Sequence, residues 1–264
     1  MKKIIYLLCI TILMVQSCSS DDSNNTDNQI VLSGKLKRIH LIPSGDNYQQ
    51  FIDFIYDENG KLIQETTTNV ATGQIIKRLT LLRNSNGYIT NRFEVASNNS
   101  TTNTNYVVND NGIYLTSTET KTSAGVSTVV TANYIYTNNK ISQINFSDGH
   151  QEKFFYDSNE NRIKTETFYD DPSKLDSVNN TVFDNKINPL PYDDILASWS
   201  GTNNFTSSNT DYYDSTQTLI GNINMVYVYS YTDTNKPHTI SYTITDFITT
   251  LGGTAAGAYE FFYY

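Results

Sequence analysis

The sequence predicts an all-β fold: one large antiparallel meander of about fourteen strands, curled into an open barrel or half-barrel, with one short helix in an insertion. Three observations predict it. Asn and Gly recur at near-regular spacing between alternating apolar runs, and both accept the positive φ that a hairpin corner requires. Thr, Tyr, Val and Ile, which suit a pleated half-buried surface, are abundant, while long Ala/Leu/Glu/Lys runs are missing and charged residues make up only 17 %. The chain of 264 residues is long enough for one large all-β domain. About fourteen strands exceed what a twisted open sheet carries flat, so the sheet is expected to curl and cover its edges.

Residues 1–17 read as a lipoprotein signal peptide. Lys2 and Lys3 give a positive start, and Ile4 to Val15 form an apolar stretch too short to span a bilayer well. Val15-Gln16-Ser17-Cys18 resembles a bacterial lipobox, with Gln16 where a small residue is usual. An ordinary secretory peptide cleaved near Ser17 is the alternative. Cys9 falls in the removed segment, so Cys18 is the one cysteine of the mature chain; it allows no disulfide, and lipid attachment is its evident use. Residues 18–33 read as a flexible acidic tether. Within them Ser19-Ser20-Asp21-Asp22 resembles the export signal of Bacteroidota surface lipoproteins, which implies a lipid anchor in the outer membrane facing the cell exterior; a plain solvated linker is the other reading. Loss of Lys2 and Lys3 takes the net charge from −9 to −11. So acidic a chain is expected to repel nucleic acid and anionic headgroups, leaving the acyl chains and no basic patch to hold the membrane.

Residues 34–264 are expected to form the single β domain. Leu36 to Leu41 and Phe51 to Tyr56 read as the first strands. The hairpin corners then follow at Asp57-Glu58-Asn59-Gly60, Asn84-Ser85-Asn86-Gly87, Asn109-Asp110-Asn111-Gly112, Asn138-Asn139, Asp157 to Asn161, Asp184-Asn185 and Asp233-Thr234-Asn235. Gly60, Gly87, Gly112, Asn139, Asn161 and Asn185 are 27, 25, 27, 22 and 24 residues apart, and Asn235 follows after 50, or two steps. A period in the twenties with strand–turn–strand content is one hairpin per repeat. Corners of the opposite end are expected at Thr72-Gly73, Asn98-Asn99-Ser100, Ala124-Gly125, Asp148-Gly149 and Asp171-Pro172. Alternation puts Ile89, Phe93 and Val95 on one face with Asn91, and Ile240, Tyr242 and Ile244 on one face opposite Thr239, Ser241, Thr243 and Thr245.

The insertion, residues 188–220, is the one irregular region. Pro191 suits the first helical position, Asp193 and Asp194 its positive end, and Gly201 its stop. Ile195, Leu196 and Trp199 would then share an apolar face against the curled sheet. Trp199 reads as a plug, with a ligand anchor as the second possibility.

The unit aromatic-x-Tyr-Asp-x-Asn-Gly-Lys-Leu, as in Phe54 to Leu62, resembles the hairpin of YD-repeat (RHS-type) proteins. More broadly, the chain is similar to a family of Bacteroidota lipoproteins of unknown function with a porin-like fold. The repeated corners through residues 51–237, Phe183-Asp184-Asn185-Lys186-Ile187-Asn188-Pro189, the pair Asn203-Asn204 and the aromatic ending Tyr259 to Tyr264 carry that likeness. It implies a curled antiparallel sheet and no assigned activity. It does not imply a membrane pore, because the strands lack a consistent lipid-facing apolar row. Asp176-Ser177-Val178 and Asp214-Ser215-Thr216 resemble the O-glycosylation sequon of Bacteroidota, which implies modified Ser177 and Ser215.

A search for chemistry finds little. His40, His150 and His238 form no metal-ligand spacing, and no nucleophile elbow, phosphate loop or dinucleotide fingerprint occurs. No metal and no cofactor is expected. The acids Asp57-Glu58 and Asn109-Asp110 lack the downstream ligands of a calcium loop, and the pairs Asp170/Asp171 and Asp193/Asp194 fit a turn and a helix start better than a glycosidase. The aromatic stripe remains. Tyr227, Tyr229 and Tyr231 share one face, with Tyr134 and Tyr136 alike. Buried, they are sheet packing; exposed, they could stack on sugars. The expectation is therefore a surface lipoprotein without catalytic machinery that binds a glycan or other extracellular ligand. The alternative is an interaction subunit of an outer-membrane complex, and a hydrolase comes last.

Overall fold

Local chemistry sets the corners. The computed structural model describes residues 32–44, 48–169, 171–190, 202–246 and 253–264. Gly60, Gly87 and Gly112 hold left-handed backbone at φ 72°, 82° and 80°. The residue that opens each of these turns also caps it: Asp57 Oδ1 accepts the Asn59 and Lys61 amides at 2.9 and 2.7 Å. Asn84, Asn109 and Asp157 accept the equivalent pairs. An Asx side chain that takes two turn amides leaves neither unsatisfied, which explains the Asp or Asn at this place in each unit.

Sixteen strands run between the corners: β1 (Leu36–Pro43), β2 (Gln50–Tyr56), β3 (Leu62–Asn69), β4 (Ile75–Arg83), β5 (Ile89–Ala96), β6 (Thr101–Val108), β7 (Tyr114–Ser123), β8 (Val126–Thr137), β9 (Lys140–Phe146), β10 (Gln151–Tyr156), β11 (Arg162–Phe168), β12 (Ser177–Ile187), β13 (Asn203–Tyr213), β14 (Leu219–Tyr231), β15 (Pro237–Asp246) and β16 (Gly253–Tyr263). Each pairs antiparallel with its chain neighbours, and β1 pairs with β16 from Leu36↔Tyr263 to Pro43↔Gly257. The meander is therefore a closed barrel, with two strands more than the sequence predicts and no open edge.

Three sequence expectations are corrected. The 188–220 segment is not irregular throughout, because β13 and the start of β14 lie inside it; β13 hides as a run of Asn, Thr and Ser with little aliphatic content. Asp184-Asn185 is not a corner. β12 runs through it to Ile187, and the chain returns only at Asn203, with the Asn188 amide donating to Thr202 O. In the fifth corner Glu160, at φ 66°, holds the left-handed position expected of Asn161. The predicted helix around Pro191 to Gly201 and its Trp199 lie outside the described residues, as do the signal peptide and Cys18.

A bulge beside each corner decides which side chains face inward. Ile55 pairs with Gln64 but Tyr56 with Leu62, so Ile63 is an extra residue. The same shift recurs at Leu82/Arg83, Val107/Val108, Ile135/Tyr136, Phe155/Tyr156 and Ser230/Tyr231. A one-residue slip flips a strand's faces. Ile89 therefore points into the core at 0 % exposure while Phe93, on the far side of the bulge, is 40 % exposed. The predicted common face for Ile89, Phe93 and Val95 fails for this reason. In β15 the row Ile240, Tyr242 and Ile244 does lie opposite the Thr/Ser row, since the bulge falls before it.

The core fills the end of the barrel near these corners. Leu36, Phe54, Leu62, Leu81, Ile89, Phe205, Ile240 and Phe261 are among its buried side chains. Tyrosines tie each hairpin to the preceding one: Tyr56 donates to Leu36 O, Tyr156 to Ile141 O, Tyr229 to Phe205 O and Tyr263 to Pro237 O. The Ile89 and Tyr114 amides donate to the Tyr114 and Tyr136 hydroxyls in the same sense. Asn161 and Asn203 clasp each other with two bonds of 3.0 Å where the chain re-enters β13.

Candidate functional site

Beyond the apolar core, the inward side chains of β5 to β11 turn polar and surround a cavity of about 350 Å³. The bulges place them. After the buried residue that follows each corner, the next inward positions lie three and five residues on: Arg92 and Glu94 after Ile89, Ser117 and Glu119 after Tyr114. Ser117 and Glu119 line the space with Arg92, Thr104, Tyr106, Tyr134, His150, Glu152, Phe154 and Arg162.

Several of these groups are fixed by the wall. Arg92 Nη2 donates to Glu94 at 3.2 Å, Lys121 pairs with Glu119 at 2.8 Å, and the Arg162 guanidinium lies 4.2 Å over the Phe154 ring. Tyr134 and Ser117 share a hydrogen bond of 2.8 Å. Burial pushes the Tyr134 phenol up to about 12 against that bond. His150 is stacked on Phe146 with centroids 3.7 Å apart and faces Tyr169 on its other side, while its Nδ1 lies 2.6 Å from Asp148 Oδ1.

Other groups face the cavity with capacity to spare. Thr104 Oγ1 and Arg92 Nε are buried with no hydrogen-bond partner. Buried polar atoms are nearly always partnered, so orphans lining one cavity mark a place for water or a ligand. Burial raises the pKa of the Glu152 carboxyl, with His150 and Arg162 opposing. Together these offer donors, an acceptor and flat aromatic faces within one space.

The predicted residues are distributed as follows. Tyr134 lines the cavity. Tyr136 does not: its hydroxyl accepts the Tyr114 amide and belongs to the wall. Tyr227 is buried at 7 % exposure against Phe205, burial raising its phenol to about 12. Tyr229 and Tyr231 are half-buried and stacked 5.8 Å apart, and the Tyr231 hydroxyl donates to Asp184. Tyr227 and Tyr229 line a smaller, apolar cavity of about 150 Å³ with Leu190, on the far side of the barrel. Ser215 is exposed on the β13–β14 turn, whereas Ser177 is half-buried in β12, paired with both neighbouring strands. Trp199 and Cys18 lie outside the described residues. Sequence reasoning missed Arg92, Thr104, Glu119, Glu152 and Arg162. The polar residues three and five places past each post-corner Leu, Ile or Tyr were the available signal. Among the described residues, no three His, Cys, Asp or Glu side chains are placed to hold a metal ion.

The outer wall is mostly polar. Arg38 pairs with Asp53 at 2.5 Å, Asn91 bonds Asn103 and Asn105, and Asn222 bonds Asn209 and Asp211. Apolar side chains interrupt it, with Phe93, Leu115, Ile163, Val182 and Val226 38 to 58 % exposed, and a row of them near the corners corrects the expectation that no such row exists. Ile55, Leu82, Val107, Ile135, Phe155, Val228 and Phe262, each within three residues of the corner end of its strand, are 42 to 63 % exposed.

No family model and no curated protein matches the chain. Among solved structures it is similar to a porin-like protein from Bacteroides uniformis, at 11 % identity and TM-score 0.55, over 88 % of this chain and 99 % of that one. A porin-like protein from Bacteroides vulgatus aligns at 11 % identity over the same shares with a TM-score of 0.41. The first alignment is a likeness of fold.

Proposed function

We propose that this is an outer-membrane, surface-exposed lipoprotein, acylated at Cys18, whose barrel is a non-catalytic binding module for an extracellular glycan. The β5–β11 cavity carries the glycan reading. A sugar offers hydroxyls that both donate and accept and a C–H face that packs on rings. The cavity matches this with Glu152 as acceptor, Arg92 and Thr104 carrying unused polar atoms, and Tyr134 and Phe154 as faces. Its volume suits one small ligand. The hydrogen-bonded polar ladders on the strands, Asn91 with Asn103 and Asn105 and Asn222 with Asn209 and Asp211, support a barrel hung from the membrane, since a spanning barrel carries a continuous apolar band about 25 Å tall on its outer face. The non-catalytic reading is supported by how the reactive groups are engaged: Ser117 bonds Tyr134, Glu119 pairs with Lys121, and His150 is clamped between two rings.

The test is a glycan array followed by titration of any hit against Tyr134→Ala and Glu152→Gln. Each variant should weaken binding about tenfold or more without unfolding, and the hit should not be cleaved. A blank array, or hits that both variants bind unchanged, sinks the glycan reading; turnover sinks the non-catalytic one. Detergent partition and mass spectrometry of the N-terminal peptide test acylation separately. The outward apolar row favours a second reading, a subunit of an outer-membrane complex. A partner that co-purifies with the parent chain and is lost with Leu82→Asn and Val107→Asn would establish it.

A further inference from the structure

Over β5 to β9 the charged side chains sit on the inside of the barrel. β6 and β8 contain no charged residue, and those of β5 and β7, Arg92, Glu94, Glu119 and Lys121, all face the interior, where they pair with one another. Lys140, at the corner end of β9, pairs with Glu160 at 3.0 Å. Other parts of the outer wall are charged: Arg38 pairs with Asp53 and Lys164 with Glu166, while Asp211 accepts from Asn222. Arg78 on β4, opposite Val95, and Lys153 on β10, opposite Gln143, bound the uncharged sector.

Register lines the outward side chains of this sector into rows. Asn91, Asn105, Thr118 and Thr131 are successive neighbours across β5 to β8, and so are Phe93, Asn103, Thr120 and Val129. Phe93, Val107, Val129 and Ile135 stand 40 to 60 % exposed among these amides and hydroxyls. Asn103 and Asn105 accept from Asn91 at 2.7 and 2.9 Å, which leaves their own Nδ2 donors for a partner. Absence of charge beside exposed apolar groups is the composition of an interface centre, whereas a solvated face carries charges. Five strands at about 4.8 Å and four rows at about 6.8 Å cover roughly 650 Å², close to the ~800 Å² per partner of a stable complex.

We propose that this sector is the interface through which two copies of the chain associate about a two-fold axis. Two observations favour a second copy over another partner. The chain is acidic, at net charge −9, so its copies repel one another, and this sector adds nothing to that repulsion. Across a two-fold axis a surface meets itself: hydroxyls and amides both donate and accept, so rows of Thr and Asn are self-complementary where a row of carboxylates is not. The inference is independent of the glycan cavity, which lies on the opposite face of the same strands.

Sedimentation velocity of the full chain in a density-matched detergent measures the association. The parent should dimerise with a midpoint at or below about 10 μM. Thr118→Lys with Thr131→Lys puts like charges at the centre of both faces and should raise that midpoint at least about a hundredfold. Val129→Lys, at a position 60 % exposed, should raise it about tenfold by itself. Ser241→Lys with Thr243→Lys, at exposed positions on β15, adds the same charge outside the sector and should leave the dimer intact. Circular dichroism and melting temperature check that each variant is folded. The proposal is overturned by a parent still monomeric at about 100 μM, by a dimer that persists with lysines in the sector, or by one lost equally to the β15 variant. A monomeric parent that instead holds a different outer-membrane protein on this sector overturns it as well.

Discussion

The Asn161–Asn203 clasp gives the sharpest stability prediction. Asn161 is 1 % exposed, and its amide donates to Asp157 Oδ2 and Asn203 Oδ1 and accepts the Asn203 amide, each at 3.0 Å. Asn161→Ala deletes all three bonds and strands polar groups of Asn203, itself 9 % exposed. Each lost neutral bond costs roughly 1 kcal/mol net and a stranded buried group about 1–3 kcal/mol, so the expected loss is about 4 kcal/mol. For a domain of this size that lowers the melting point by about 10 °C. Urea unfolding of Asn161→Ala, Asn203→Ala and the double variant would show the pair as strongly non-additive, since the second deletion removes what the first has already stranded. A single-variant loss below about 1 kcal/mol, or additive effects, would refute the clasp as the fastener of the returning chain.

Other expectations follow from the same reasoning. Burial raises the Glu152 pKa in the folded state above its unfolded value, so the folded state holds its proton more tightly; stability is lost as pH climbs from the unfolded value through the folded one. Glu152→Gln should therefore be the more stable protein at pH 7 and match the parent near pH 3, as urea midpoints at the two pH values would reveal. Gly73→Ala and Gly112→Ala both force a side chain into left-handed backbone, but the new Cβ meets nothing at Gly73 and clashes with the Tyr88 ring at Gly112. The first should cost about 1 kcal/mol and the second clearly more; equal losses would mean the ring moves freely. If the exported chain is O-glycosylated, intact mass and peptide mapping should place the sugar on exposed Ser215 and leave Ser177 bare.

The corners were legible in the sequence because positive φ is a demand only Gly and Asn meet easily, and Asp or Asn must cap what they open. Reading went wrong where a second signal overrode the first. Asp184 still receives the Lys186 amide at 2.8 Å, as a corner residue would, yet the strand continues past it. β13 was invisible because its pattern is polar on polar. The candidate site was legible only at Tyr134. Arg92, Thr104 and Glu152 come from β5, β6 and β10 and meet only because bulges set their facing and closure of the ring brings them round.

Corners such as Asp57–Gly60 and Asp157–Asn161 carry their own cap, their own bulge and a tyrosine that reaches one hairpin back. Such a unit is self-contained, so gain or loss of one whole hairpin alters the girth of the tube by two staves and leaves the facing of every other side chain intact. A change of one residue inside a stave would turn part of its lining outward. Lineages of this architecture are thus free to tune bore width in even steps, and the cavity, built from neighbouring staves, would widen or narrow with it.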